Sequence, residues 1–212
     1  MYFLSKDLYF PPVNQADEDG ILAVGGDLSP ERLMLAYRNG IFPWFDDDDP
    51  ILWWSPNSRM VLFPDELVIS KSMRNILNRD IFEVTFNTSF KEVILSCKKI
   101  KRNGQHGTWI TDEMLEAYCK LHEMGFAKSV EVWQNGKLVG GLYGVDLSHV
   151  FCGESMFSNV ANASKVAFIA LVKMMKSQNY KLLDCQVYNE HLSSLGASEI
   201  TREEFMSKLL RN

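Results

Sequence analysis

Positive charge, cysteine, clustered histidine and long apolar runs are all scarce in this chain, and each shortage excludes something. No window approaches the roughly 18 uninterrupted apolar residues of a membrane-crossing helix. The start, MYFLSKDLYFPPVN, has no basic segment leading into an apolar one. A cytoplasmic protein with no membrane association is therefore expected. The four cysteines, Cys97, Cys119, Cys152 and Cys185, show no CxxC spacing. The chain is too large to need disulfides for a core, so reduced and mostly buried thiols are expected. His106, His122, His149 and His191 form no HxxxH or His/Cys cluster, and no metal is expected. Lys and Arg number 22 against 27 Asp and Glu, a net charge of −5, which argues against broad nucleic-acid binding driven by phosphate neutralisation. Any such contact must be local, at Lys71, Arg74 and Arg79 or at Lys98, Lys99, Lys101 and Arg102. Alone, each of these clusters reads as solvated surface. No internal period recurs, and the low-complexity tract Asp46 to Asp49 reads as an exposed acidic loop.

What is present is ordinary in bulk: 212 residues, 46% hydrophobic and 23% charged, enough for one large or two small domains. SPERLMLAYRN, residues 29 to 39, reads as a helix with Ser29 as cap, Pro30 in its first turn and Gly40 at its end. Further helices are expected over residues 66 to 79, over SFKEVILSCKKI and from Thr111 to Gly125, with FEVTFN as a strand between the first two. From residue 129 the pattern turns to strands, SVEVWQNGKLVGGLYGVDLSHVFCGESMFS. Asn135-Gly136 signals a hairpin, because its turn needs positive φ at both central positions, and a second turn near Asp146 adds a third strand. NASKVAFIALVKMMKSQN then reads as a helix and YKLLDCQV as a strand. Antiparallel strands, a helix and a further strand predict an α+β fold, a sheet covered by helices.

Two stretches do not fit that plain scheme. IFPWFDDDDPILWWSP gathers Phe42, Trp44, Phe45, Trp53 and Trp54 around prolines and aspartates. Such a loop is either pinned to the core by aromatic anchors or a platform on which a planar group stacks. LLDCQVYNEHLSSLGAS sets Asp184 and Gln186 into an apolar strand. At i and i+2 they point to one face, with Cys185 turned to the other. A structural pair bonded to loop backbone and a catalytic pair are both open on this spacing.

Taken in order, GGDLSPERLMLAYRNGIFPWF, ILWWSP, GTWIT, EVW, FCGESMFS, NASK, LLDCQV and HLSSLGA closely resemble the leucyl/phenylalanyl-tRNA protein transferases, from about residue 20 to 200. The resemblance implies transfer of leucine or phenylalanine, and by extension methionine, from Leu-tRNA or Phe-tRNA to the N-terminal amine of proteins beginning with Arg or Lys. Proteins so modified are marked for degradation. It implies a GNAT-like acyltransferase C-terminal domain over residues 63 to 212, behind a smaller mixed α/β N-terminal domain over residues 1 to 62 that carries the aromatic platform. An aminoacyl ester is already activated, so no cofactor is expected; the enzyme has to orient ester and amine and manage one proton.

By the same resemblance Asp184, Gln186 and Glu154 are the catalytic residues. Asp184 would accept a proton or orient the amine, directly or through Gln186. Gln186 would also bond a reacting oxygen, and Glu154 would bind the aminoacyl group or its ester region. Leu142, Phe151, Met156, Leu171, Met175 and Leu183, with Ser155, are the implied walls of the aminoacyl pocket, although the family more often has aromatics at positions 171 and 175. Trp44 and Trp109 would stack on the terminal adenosine, with Tyr37 and Tyr118 nearby, while Trp53, Trp54 and Trp133 are left as core. Lys71, Arg74 and Arg79 would meet the tRNA backbone, a cluster thinned by Asn75 and Asn78. A monomer is expected.

Two rivals are weighed. A CoA-dependent acyltransferase on the same fold would need a Q/R-x-x-G-x-G/A loop whose amides cradle a pyrophosphate, and SNVANASK has no glycine. A noncatalytic adaptor, binding basic N-termini through Asp46 to Asp49 and Glu154, would not need both an adenosine platform and the Asp184/Gln186 pair.

Overall fold

A computed structural model of the chain describes residues 2–46, 49–100 and 110–210. Among these residues the strands form two sheets. The smaller contains β1 (Tyr2–Leu4), β2 (Ile21–Gly25), β3 (Phe42–Pro43) and β4 (Leu52–Trp54), in the order β1-β2-β4-β3. The larger contains β5 (Ser58–Leu62), β6 (Glu83–Phe86), β7 (Ala127–Gln134), β8 (Lys137–Asp146), β9 (Val150–Ser158), β10 (Leu182–Gln186) and β11 (Ser198–Thr201), in the order β11-β5-β10-β9-β8-β7-β6. Seven α-helices are described: α1 (Pro30–Arg38), α2 (Lys71–Leu77), α3 (Phe90–Lys99), α4 (Asp112–Glu123), α5 (Ala163–Ser177), α6 (Glu190–Ser193) and α7 (Arg202–Leu209). The architecture is α+β.

Local signals account for most of these elements. Ser29 accepts from the Arg32 amide and Thr111 from the Met114 amide, capping α1 and α4 as their sequences predict. Asn135 and Gly136 take φ of 50° and 70° in the β7–β8 hairpin. Helix α2 is shorter than the 66–79 predicted. The Val68 amide donates to the Leu195 carbonyl, drawing that stretch into a tertiary bond, and Ser70 caps the helix instead, accepting from Met73.

Strand β5, which falls within residues 1–62 of the sequence division, pairs with both β10 and β11. The elements thus pass from the smaller sheet to the larger between Trp54 and Ser58. One apolar cluster joins both parts, running from Leu22, Tyr37 and Trp53 to Val61, Phe90, Tyr118 and Phe157. A second cluster on the opposite face of the large sheet packs Val166, Phe168 and Leu171 of α5 and Met73 of α2 against Val132, Leu142 and Leu183. Neighbouring side chains of β10 divide between them, Leu182 into the first and Leu183 into the second. Fully burying each leucine contributes about 1.5–3 kcal/mol. Helix α5 lies hard against the sheet at Gly140, where a Cβ would come within 2.5 Å of the Ala163 Cβ.

Neighbouring strands of the large sheet are antiparallel except β9 and β10, which run parallel with α5 as their crossover. Their pairing ends at Cys152 opposite Asp184. Beyond that point β9 bulges, because Gly153 and Ser155 pair with consecutive residues of β8 and Glu154 is the extra one. Strand β10 departs too, with φ of 66° at Gln186 and the Val187 amide donating to the Cys185 carbonyl at 2.9 Å, a three-residue turn. The two strands part there, and a cleft opens between them.

Candidate active site

The cleft has a volume of about 600 Å³ and takes its floor from the residues after the last β9–β10 pair. Glu154 lies there, partly exposed. Its Oε1 accepts from the Tyr37 hydroxyl at 2.7 Å and from Gln186 Nε2 at 2.9 Å, and its Oε2 accepts from the Tyr118 hydroxyl at 2.9 Å. The two tyrosine hydroxyls also hydrogen-bond each other. Burial pushes the Glu154 carboxyl up to about 7, against the lowering effect of its tyrosine and glutamine donors, and the neighbouring Asp184 charge adds to the rise. Burial, then the Glu154 charge, pushes both tyrosines well above the ordinary range, so they stay protonated as donors.

Asp184 is fully buried and does not line the cleft. Its Oδ1 accepts from Arg59 Nε at 2.8 Å and from the Gln186 amide at 3.0 Å, and its Oδ2 accepts from Arg59 Nη2 at 2.7 Å. Cys185 and Gln186 both line the cleft, Cys185 also packing against the second cluster. The cysteine expected to turn away thus meets the cleft and Asp184 does not, because the left-handed turn at Gln186 breaks the strand's alternation. The carboxylate and amide of DCQV therefore share a neighbourhood but not an exposure: the amide meets the cleft, and the carboxylate braces it from behind.

Leu142, Met156, Leu171, Leu183 and Ser155 line the cleft. Phe151 and Met175, predicted as walls, are 1% and 0% exposed and lie behind the lining in the second cluster. Helix α5 presents Phe168 and Leu171 to the opening, and Met175, a turn further along, falls beneath the sheet's cover. Phe168, not foreseen, supplies an aromatic wall one turn before Leu171. Its i, i+3, i+7 spacing with Leu171 and Met175 was the available signal.

Trp44 stands at the rim, 36% exposed and part of the lining. Trp54, predicted as core, is only partly buried. Its indole N–H donates to the Trp44 carbonyl at 2.6 Å and the two rings lie 5.4 Å apart at 50°, so Trp54 holds the backbone that carries Trp44. Trp53 is fully buried, donating to the Gly25 carbonyl, and Trp133 is partly buried, donating to Thr85. Tyr37 and Tyr118 are 1% and 0% exposed. They meet Glu154 with their hydroxyls and offer no open ring face for stacking. Trp109, with Lys101 and Arg102, lies outside the described residues.

Lys71, Arg74 and Arg79 are exposed on and just after α2, whose Met73 joins the cluster that walls the cleft. Lys98 is engaged by Asp112 at 2.7 Å. Arg59 was not foreseen either. An arginine within the apolar run RMVLF carries the same signal as an aspartate within LLDC, and two such residues in buried strands ask to be paired. Among the described residues no group of three or more His, Cys, Asp or Glu is arranged to hold a metal ion, and no helix is long and apolar enough to cross a membrane.

Comparison with known proteins identifies the family. A family model described as leucyl/phenylalanyl-tRNA protein transferase matches residues 61–210, and one for the N-terminal domain of the same family matches residues 26–57. A leucyl/phenylalanyl-tRNA protein transferase of Flavobacterium johnsoniae is 71% identical over 209 residues, covering 99% of each chain. One from Flavobacterium psychrophilum is 64% identical with the same coverage. Among solved structures, a GCN5-related N-acetyltransferase from Kribbella flavida aligns with a TM-score of 0.40 and 6% identity, over 78% of this chain and 58% of that one. On the family models and on identity sustained along its whole length, the chain belongs to the leucyl/phenylalanyl-tRNA protein transferase family.

Proposed function

We propose that this aminoacyltransferase moves leucine or phenylalanine from charged tRNA to the N-terminal amine of proteins beginning with Arg or Lys, marking them for degradation in the cytoplasm, where charged tRNA is found. The observation that carries the reading is Glu154, a carboxyl near neutrality on the floor of an apolar cleft, with Gln186 donating to it from the next strand. The ester needs no activation. The acceptor nitrogen attacks the ester carbonyl, a C–N bond forms, the C–O bond to the ribose breaks, and one proton travels from the amine to the ribose oxygen.

Each residue is assigned by what it touches. Glu154, poised near neutral pH, holds the ammonium of the aminoacyl group beside the ester. Gln186 orients the acceptor amine and the reacting oxygen. Leu142, Met156, Phe168, Leu171 and Leu183 receive the leucine or phenylalanine side chain, with packing discrimination of about 1–3 kcal/mol per methylene. Trp44, from the N-terminal unit, and Trp109 stack on the terminal adenosine, and Lys71, Arg74 and Arg79 meet the phosphates. Asp184 acts through Gln186. The working unit is proposed to be a monomer.

The test is transfer of labelled leucine from Leu-tRNA to a peptide beginning with Arg, with an Ala-initiated peptide as control. Label on the Arg peptide alone is the expected result. Label on neither peptide, with thermal stabilisation by acetyl-CoA, would favour the CoA-dependent rival.

A further inference from the structure

Building on that reading, we propose that Arg59 is a positioning residue for the transfer: its guanidinium holds Asp184, and Asp184 holds the Gln186 backbone in the turn that delivers the Gln186 amide to Glu154. Both Asp184 oxygens bind the guanidinium, and Oδ1 also takes the Gln186 amide, so one carboxylate joins Arg59 to the turn. That turn is not one Gln186 adopts freely. Its φ of 66° lies in the left-handed region, which a non-glycine residue holds only when its surroundings impose it. The Asp184–amide bond is part of what imposes it here.

Arg59 is itself fixed. It is 2% exposed and lies between two aromatic faces, 4.7 Å from the Phe42 centroid and 4.6 Å from that of Phe205. Phe42 also lines the cleft, two residues before Trp44. The guanidinium therefore ties the strand leading to the adenosine platform, the C-terminal helix α7 and the turn at Gln186 into one unit.

Stability alone is a poor reason for this arrangement. A buried ion pair is often matched or bettered by apolar residues of similar volume, and Arg59 Nη1 is buried with no partner among the described residues. What the pair does provide is direction. Two parallel bonds from a planar fork fix the carboxylate's orientation, which the point charge of a lysine cannot do.

The test combines Arg59→Lys with Gln186→Ala, singly and together, in the full chain. Arg59→Lys should slow single-turnover leucine transfer on the order of 10²-fold, the cost of a misplaced reacting group, with little change in Leu-tRNA affinity. The double variant should be no slower than Gln186→Ala alone, whereas independent effects multiply. A second readout needs no activity. Glu154 faces Tyr37, Tyr118, Gln186, Asp184 and Cys152, and its carboxyl titration by 13C NMR should move above about 7 equally in Arg59→Lys and Gln186→Ala, since both withdraw the Gln186 donor. Multiplicative losses, or a Glu154 titration unmoved by Arg59→Lys, would overturn the proposal. If Arg59→Lys does not fold, Arg59→Met with Asp184→Leu removes both charges and, combined with Gln186→Ala, is judged by the rate criterion alone, since losing the Asp184 charge itself lowers the Glu154 titration. A wild-type protein that transfers nothing would defeat the functional reading, and the NMR comparison would still decide the role of Arg59.

Discussion

A carboxyl held near neutrality responds to pH where cells operate, and Glu154 is such a group, raised by burial from 4.5 to about 7. If its carboxylate holds the aminoacyl ammonium, transfer should rise as pH passes through about 7, and Glu154→Gln should lose that limb along with most of the rate. Stability should run the other way. A carboxyl whose folded value is raised contributes stability that is fully present below its unfolded value and lost as pH rises through its folded one. The window here is from 4.5 to about 7. Relative to wild type, Glu154→Gln should therefore melt higher at pH ~8 than at pH ~4, and an equal offset at both would mean that Glu154 is not so perturbed. Trp44 makes a different demand. With 36% of its surface exposed at the rim, Trp44→Ala should leave the melting temperature nearly unchanged and weaken Leu-tRNA binding by about 1–3 kcal/mol; early melting with unchanged affinity would return it to the role of an anchor.

At the scale of elements, Asp184→Asn tests the β10 turn. With Arg59 bonded to both its oxygens, the substitution leaves a buried cation poorly paired and should cost about 3–5 kcal/mol of stability as well as transfer rate. Chemical denaturation measures the first loss, and an Asp184→Asn variant as stable as wild type would contradict the paired arrangement. This is also where the sequence stopped being legible. The Ser29 and Thr111 caps and the Asn135-Gly136 turn depend on neighbours within a few residues, and they can be read directly. DCQV announced two polar residues on one face, but the partner that decides Asp184's role, Arg59, lies 125 residues away along the chain. The bulge that exposes Glu154 and the turn that redirects Gln186 arise from strand pairing, which no single stretch encodes. Trp54 does pack against the first cluster, but the bond that joins it to the Trp44 carbonyl depends on the β3–β4 pairing and is written in no single stretch.

Over the whole molecule, the net charge of −5 and the small exposed set Lys71, Arg74 and Arg79 predict a shallow salt dependence. Each phosphate contact adds about 0.7 to 0.9 to the slope of log affinity against log salt, so about three contacts should give a slope of about −2 to −3. A slope near −6 in filter-binding or fluorescence titrations with Leu-tRNA would require a basic surface beyond these three residues. The proposed function divides labour: tRNA would be held at the aromatic rim and along α2, and peptide-bond formation managed on the cleft floor. The most direct test is Gln186→Ala, which removes the cleft-floor amide without opening the buried Arg59–Asp184 pair. Its single-turnover transfer of leucine to an Arg-initiated peptide should fall by about 10²–10⁴-fold while Leu-tRNA affinity and melting temperature stay close to wild type. A variant that loses affinity, stability and transfer together, or keeps transfer near normal, would contradict the account.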